Sequence, residues 1–262
     1  MPSSRKKPET QGGLSGTALK YIAMTAMLAD HIGVVLLERI VYYRGSLERV
    51  AMIMTSQWGD RLYWLCQVLR SAGRIAFPIY CFLLVEGFLH TRDWRRYWLR
   101  MAAFALISEI PFRLAVWNTW AGGGCNVYVE LAIGLLVLRG LKQSEGLTQP
   151  RRAAGMAAVI GGGCLAAVFL KADYDMDGIL IISLFYLLRE KRIVQVMSGG
   201  ILSLLESWNM CYGAGILSAV PLYFYNGKKG QAPWKYAFYW FYPLHLMVLF
   251  FIRLYVVGIP LG

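Results

Sequence analysis

Charge is scarce in this chain. Asp, Glu, Lys and Arg make up 16% of its 262 residues, against roughly 25% in soluble domains. Hydrophobic residues reach 57%, and mean hydropathy is +0.46. Together these exclude an ordinary soluble domain. Alternating apolar and polar positions are also lacking. The apolar runs are continuous, which excludes a closed β-barrel and leaves helices as the way to satisfy the backbone in lipid. Metal-ligand spacing is absent. Cys66, Cys81, Cys125, Cys164 and Cys211 are scattered, with no CxxC and no Cys/His cluster, so no metal is expected. The thiols read as small apolar packing residues. Two GGG runs, 122–124 and 161–163, lack the following Lys-Ser/Thr of a phosphate loop. They read as tight turns or close helix packing. The first apolar run is long and has no small-residue cleavage site after it, so it does not read as a signal peptide. Histidine is rare, with three residues in all.

What is present is a basic, apolar chain. The net charge is +12 and the pI about 9.6. The basic residues sit in short loops between apolar runs, which points to membrane orientation and not to nucleic acid. Apolar length predicts an all-α polytopic membrane helical bundle with about nine spans. They fall near 18–37, 73–90, 97–117, 125–141, 153–171, 177–189, 193–208, 211–225 and 235–257. The first 16 residues are polar and read as a disordered cytoplasmic tail, leaving 17–262 as one transmembrane domain. The stretch 38–72 mixes charge with Tyr and Trp and reads as a long connection with an interfacial helix. Every second loop is basic: Arg5 to Lys7, Arg92 to Arg96, Lys142 to Arg152, Lys191-Arg192 and Lys228-Lys229. The loops around 118–124, 172–176 and 209–210 are nearly free of Lys and Arg. The positive-inside rule then places the N-terminus in the cytoplasm and the C-terminus outside.

Against this apolar background, ionisable residues at membrane depth stand out. Each costs roughly 2.5–3.5 kcal/mol to insert, so such groups usually serve a site. Asp30-His31 lies within ALKYIAMTAMLADHIGVVLL, and His245 lies within FYWFYPLHLMVLFF. Arg74, Glu109, Arg113, Asn126 and Glu130 fall in the outer halves of their spans. Glu109 and Arg113 have the spacing of an intrahelical ion pair. Asp175 and Asp177 read as solvated loop charges, Glu206 as a surface charge at a helix end, and His90, beside Thr91-Arg92, as an interfacial residue.

Several segments together are specific: LKYIAMTAMLADHIG at 19–33, GRIAFPIYCFLLVEGFLHTRD at 73–93, LISEIPFRLA at 106–115, NVYVELAIGLL at 126–136, ADYDMDGILII at 172–182 and KYAFYWFYPLHLMVL at 235–249. With them the chain resembles the TraX family, the F-pilin acetylase type, from about Leu19 to Arg253. Glu130 and Asp175-Met176-Asp177 depart from that pattern on the acceptor side. The resemblance implies a multi-pass acetyltransferase of the bacterial cytoplasmic membrane. It would move acetyl from cytoplasmic acetyl-CoA to an outside acceptor, which is pilin in the namesake and a pilin, peptide or glycan here. His31 is the candidate base, and Asp30 or Glu109 the candidate carboxylate that orients the catalytic imidazole. Arg74, Asn126 and His245 are candidate hydrogen-bond donors. Arg92, Arg95, Arg96, Arg151 and Arg152 are the expected partners of the donor's phosphates. Two rival readings remain at this level. A proton-coupled transporter would also carry Asp, Glu and His at midplane, though no internal repeat is evident. The other rival is a non-catalytic scaffold for envelope or pilus assembly.

Overall fold

The computed structural model describes residues 12–42, 55–231, 234 and 236–259. Residues 1–11 of the expected tail, and the middle of the expected 38–72 connection, lie outside the described residues. Among those described there is no strand. Two isolated bridges, Leu14 to Tyr225 and Cys125 to Ala172, are the only sheet-like pairings.

Polar caps start the helices where the apolar runs begin. Ser15 opens α1 (Gly16–Ile32), its hydroxyl accepting from the Ala18 amide at 3.2 Å. A π turn (Gly33–Leu37) and a short α2 (Glu38–Tyr42) extend it. Ser56 caps α3 (Gln57–Gly73), which continues through Arg74 and Ile75 into α4 (Ala76–His90). Asp93 caps α5 (Trp94–Phe112), which ends in a second π turn (Arg113–Trp117). Asn126 caps α6 (Val127–Ser144). Then follow α7 (Arg151–Phe169), α8 (Asp175–Leu187) and α9 (Arg192–Cys211). A 3-10 turn (Ala214–Ser218) leads into α10 (Ala219–Tyr223), and α11 (Ala237–Phe251) ends in a third π turn (Ile252–Val257).

Contacts between helix ends define two poles. At the basic pole, the Gly16 amide donates to the Lys228 carbonyl, Arg189 pairs with Glu145, and Arg192 donates to the Leu222 and Tyr225 carbonyls. At the opposite pole, Arg39 donates to the Val116 carbonyl, and Arg253 donates to those of Leu114 and Ala115. The three π turns meet there. Arg253 is fully buried, and its guanidinium also donates to the Asn118 side chain at 2.7 Å. It thereby occupies carbonyls that the loosened helix turns leave available.

Among the described residues, four helical runs are long and apolar enough to cross a bilayer: Gly16–Ile40, Gln57–His90, Arg151–Phe169 and Ala237–Val257. This corrects two expectations. The stretch 38–72 is not simply a connection, because Gln57–Gly73 is a helix packed on α1 that runs on as part of a 34-residue apolar segment. Its charges masked it: Arg70 is 7% exposed because acidic partners take its charge. The expected span 211–225 holds the short apolar segment Ala214–Tyr223. At about 1.5–2 Å per residue its ten residues cover about 15–20 Å, less than the ~30 Å hydrocarbon core.

Packing between helices carries the association, since lipid gives no hydrophobic drive. Phe82, Leu135, Ile181 and Phe185 are fully enclosed. Gly199 has no side chain because the Phe185 ring occupies that space. By contrast, α7 presents most of its surface outward: 11% of its apolar window is buried inside the protein. That is the surface of a lipid-facing helix.

Candidate active site

α1 and α11 pack together and bring two histidines from opposite ends of the sequence into contact. His31 Nδ1 and His245 Nε2 lie 2.6 Å apart, across a separation of 214 residues. The rings overlap, with centroids 4.8 Å apart, and both residues are under 10% exposed. His245 Nδ1 lies 2.6 Å from the Phe241 carbonyl oxygen. A carbonyl only accepts, so that nitrogen carries the proton. In the neutral ring His245 Nε2 is then the acceptor, and His31 Nδ1 must donate to it. His31 Nε2 is left bare. The chain of bonds thus selects one tautomer of His31 and aims an unprotonated nitrogen away from its partner.

Tyr242 closes the site on one side. Its ring centroid is 5.8 Å from each histidine and 5.3 Å from Tyr128. Tyr128 is held by a consequence of Pro243. Proline has no amide hydrogen, so the Tyr239 carbonyl loses its helical partner. The Tyr128 hydroxyl donates to that carbonyl at 3.1 Å. Beyond Tyr128, toward the basic pole, lies a cavity of about 470 Å³, with Tyr128 in its wall. Tyr128 and Tyr242 therefore stand between the cavity and the histidines.

Asp30 does not orient His31. Its carboxylate pairs with Arg70 at 2.8 Å and with Arg74 at 3.3 Å. Gly73 lets α1 and α3 meet there, since a methyl group on Gly73 would overlap Asp30. Arg70 also pairs with Glu38 at 3.2 Å, and Arg74 reaches Glu206 at 3.4 Å. Glu206 is thus one end of a buried network and not a surface charge. Arg74 retains one buried N–H, on Nε, with no hydrogen-bond partner. Arg70 escaped the sequence reading, although its spacing four residues before Arg74 puts both on one face.

Glu109 and Asn126 form a separate cluster. Glu109 accepts from Arg113 Nε at 2.8 Å and from Asn126 Nδ2 at 2.6 Å. Asn126 Nδ2 also donates to the Ala105 carbonyl, and its oxygen accepts the Tyr128 amide. Its donors and acceptor are occupied in tying α5 to α6. Among the described residues this cluster makes no direct hydrogen bond or ring contact with the histidines; it reaches them through Tyr128 and Tyr242. Arg92 precedes α5 and its Asp93 cap, Arg95 and Arg96 lie in its first turn, and Arg151 and Arg152 open α7. None of these five lines the cavity. Arg96 pairs with Asp93 on the surface.

A helical bundle with apolar helices of bilayer length is the architecture of an integral membrane protein. The chain belongs to the TraX family: the family model described as TraX protein matches residues 15–253. It is 29% identical over 263 residues to a Dichelobacter nodosus protein described as "Probable fimbrial assembly protein FimC, serogroup H1", covering 90% of this chain and 94% of that one. No solved structure matches.

Proposed function

We propose that the protein transfers an acetyl group from cytoplasmic acetyl-CoA to an acceptor amine or hydroxyl at the outer side of the bacterial cytoplasmic membrane. The observation that carries this reading is the bare Nε2 of His31, presented by a partner that fixes its tautomer. Membership of the TraX family supports the chemistry. The relative's name supports an acceptor among pilus or fimbrial components. The alternating loop charges support a cytoplasmic N-terminus, and the four helical runs of bilayer length among the described residues support a multi-pass arrangement.

The acceptor, as a neutral amine or a hydroxyl, attacks the thioester carbonyl while its proton passes to His31 Nε2. A carbon–nitrogen or carbon–oxygen bond forms, and the carbonyl oxygen gains charge. Arg74 Nε, buried and without a partner, is the donor offered to that oxyanion. The carbon–sulfur bond then breaks, and His31 returns its proton to the departing thiolate. His245 reacts with nothing directly; it holds His31 and stabilises the imidazolium through the shared bond.

Cells carrying the wild-type gene should show the acetyl mass increment on a surface or pilus component, and cells carrying His31→Ala should not. Mass spectrometry of the surface fraction reads this directly. The scaffold reading, which the relative's name also favours, gives the opposite pattern: assembly changes while no component gains acetyl. As a positioning residue, His245 has its own signature. His245→Ala should lower kcat by about tenfold or more, within the range of general-base assistance, with the acceptor KM little changed. His245→Gln, whose side-chain oxygen can accept from His31 Nδ1, should restore part of kcat. Equal loss in both variants, with lowered thermal stability, would assign His245 to packing beside Pro243 instead.

A further inference from the structure

The cavity behind Tyr128 is distinctive in its charge. Lys20 of α1, Arg100 of α5 and Lys229, in the segment before α11, line it. None of the three is in a salt bridge among the described residues, and Glu86 is the only carboxylate in the wall. Glu86 is itself engaged, accepting from the Tyr225 hydroxyl at 3.2 Å. Three cations therefore face one occupied acid in a half-enclosed space. Arg100 adds a buried Nε with no hydrogen-bond partner. Collecting like charges this way is unfavourable unless a polyanion joins them.

The other walls are aromatic. Tyr80, Tyr97, Tyr225, Phe238 and Tyr239 line the same space. The Lys20 ammonium lies 5.1 Å above the Phe238 ring, and the Arg100 guanidinium 5.6 Å from the centre of Tyr97. Gly87 keeps the wall open, since a methyl group there would come within 2.8 Å of the Tyr97 hydroxyl. Planar faces beside cations free of carboxylate partners suit a phosphorylated aromatic heterocycle, whose base stacks while its phosphates take the charge. The volume of about 470 Å³ lies within the usual range for such ligands.

We propose that this cavity receives the phosphorylated nucleotide end of the thioester donor, with Lys20, Lys229 and Arg100 on its phosphates. The proposal rests on the acetyl-transfer reading and moves donor recognition away from the exposed arginines of the helix starts. The arm bearing the thioester then extends past Tyr128 and Tyr242 to the histidine pair.

Calorimetry on the full-length protein in lipid nanodiscs tests this with coenzyme A, dephospho-coenzyme A and pantetheine as probes. Lys20→Glu with Lys229→Glu should weaken coenzyme A binding by about tenfold or more, the scale of one lost charge-assisted contact. The milder Lys20→Gln with Lys229→Gln guards against misfolding, and its thermal stability should match wild type. Pantetheine, which has no nucleotide, should bind weakly and equally to all variants. Added salt should weaken coenzyme A binding in wild type more than in the double variants. If coenzyme A binds wild type and both double variants equally, the cavity is not its nucleotide site, while acetyl transfer stands. The cavity is likewise ruled out if only Arg92→Ala, Arg95→Ala and Arg96→Ala together abolish binding. Failure of wild type to bind coenzyme A and acetyl-CoA at all would overturn the acetyl-transfer reading itself.

Discussion

Replacing His31 with Ala should cut acetyl transfer by about 10²-fold or more while leaving the protein folded and able to bind acetyl-CoA. The magnitude is that of a general base removed from the transition state, about 2.7 kcal/mol or more in barrier height. The effect should be this large because no other group replaces Nε2. His245 Nε2 faces His31, and its Nδ1 is engaged with the Phe241 carbonyl. Asp30 is committed to two arginines. His31→Gln sharpens the test. Glutamine can still donate to His245 but cannot take up a proton at neutral pH, so it should be as inactive as Ala. Activity recovered in Gln would mean that His31 serves only as a hydrogen-bonding strut. His31 is buried, so thermal stability must be read beside turnover. Near-normal transfer by a stable His31→Ala protein would remove His31 from the chemistry.

What the sequence made legible follows from which signals are local. Continuous apolar runs give helices without reference to neighbours, and each of these runs carries helix, though 211–225 is broken by a left-handed turn at Tyr212-Gly213. The rarity of histidine, and the depth of His31 and His245, singled out two residues that the fold brings into contact. Their direct bond was not legible, because nothing within either segment reports a contact across 214 residues. Hydropathy failed at Gln57–Gly73 for a related reason. It counts Arg70 as a polar residue, whereas the fold neutralises it with Asp30 and Glu38. Glu206 was misread in the same way, its partner Arg74 lying 132 residues away. Glu109 and Asn126 show the converse. Their depth suggested chemistry, but an N-cap and an ion pair consume their hydrogen-bonding capacity. Depth in the membrane identifies residues that need partners; only the fold says whether those partners leave anything free for a substrate.

Asp30 therefore should behave as a structural residue, and the second large effect is expected on stability. Asp30→Ala leaves Arg70 and Arg74 close together in a buried setting with their shared anion gone. Breaking one partner out of a buried ion pair costs about 3–5 kcal/mol, because the remaining charge stays desolvated. That is a large fraction of a typical folding free energy, so the variant should show a markedly lower melting temperature in detergent. Arg70→Ala should be milder, since Asp30 keeps Arg74 at 3.3 Å and Glu38 is 34% exposed and can turn to water. Combining Asp30→Ala with Arg70→Ala should cost less than the sum of the two, because the second change removes one of the charges the first left stranded. Any Asp30→Ala protein that remains folded should lose less turnover than His31→Ala, its histidine pair being intact while Arg74 loses one of its two carboxylate partners. A melting temperature unchanged from wild type, together with a turnover loss as large as that of His31→Ala, would return Asp30 to the chemistry and remove the structural assignment.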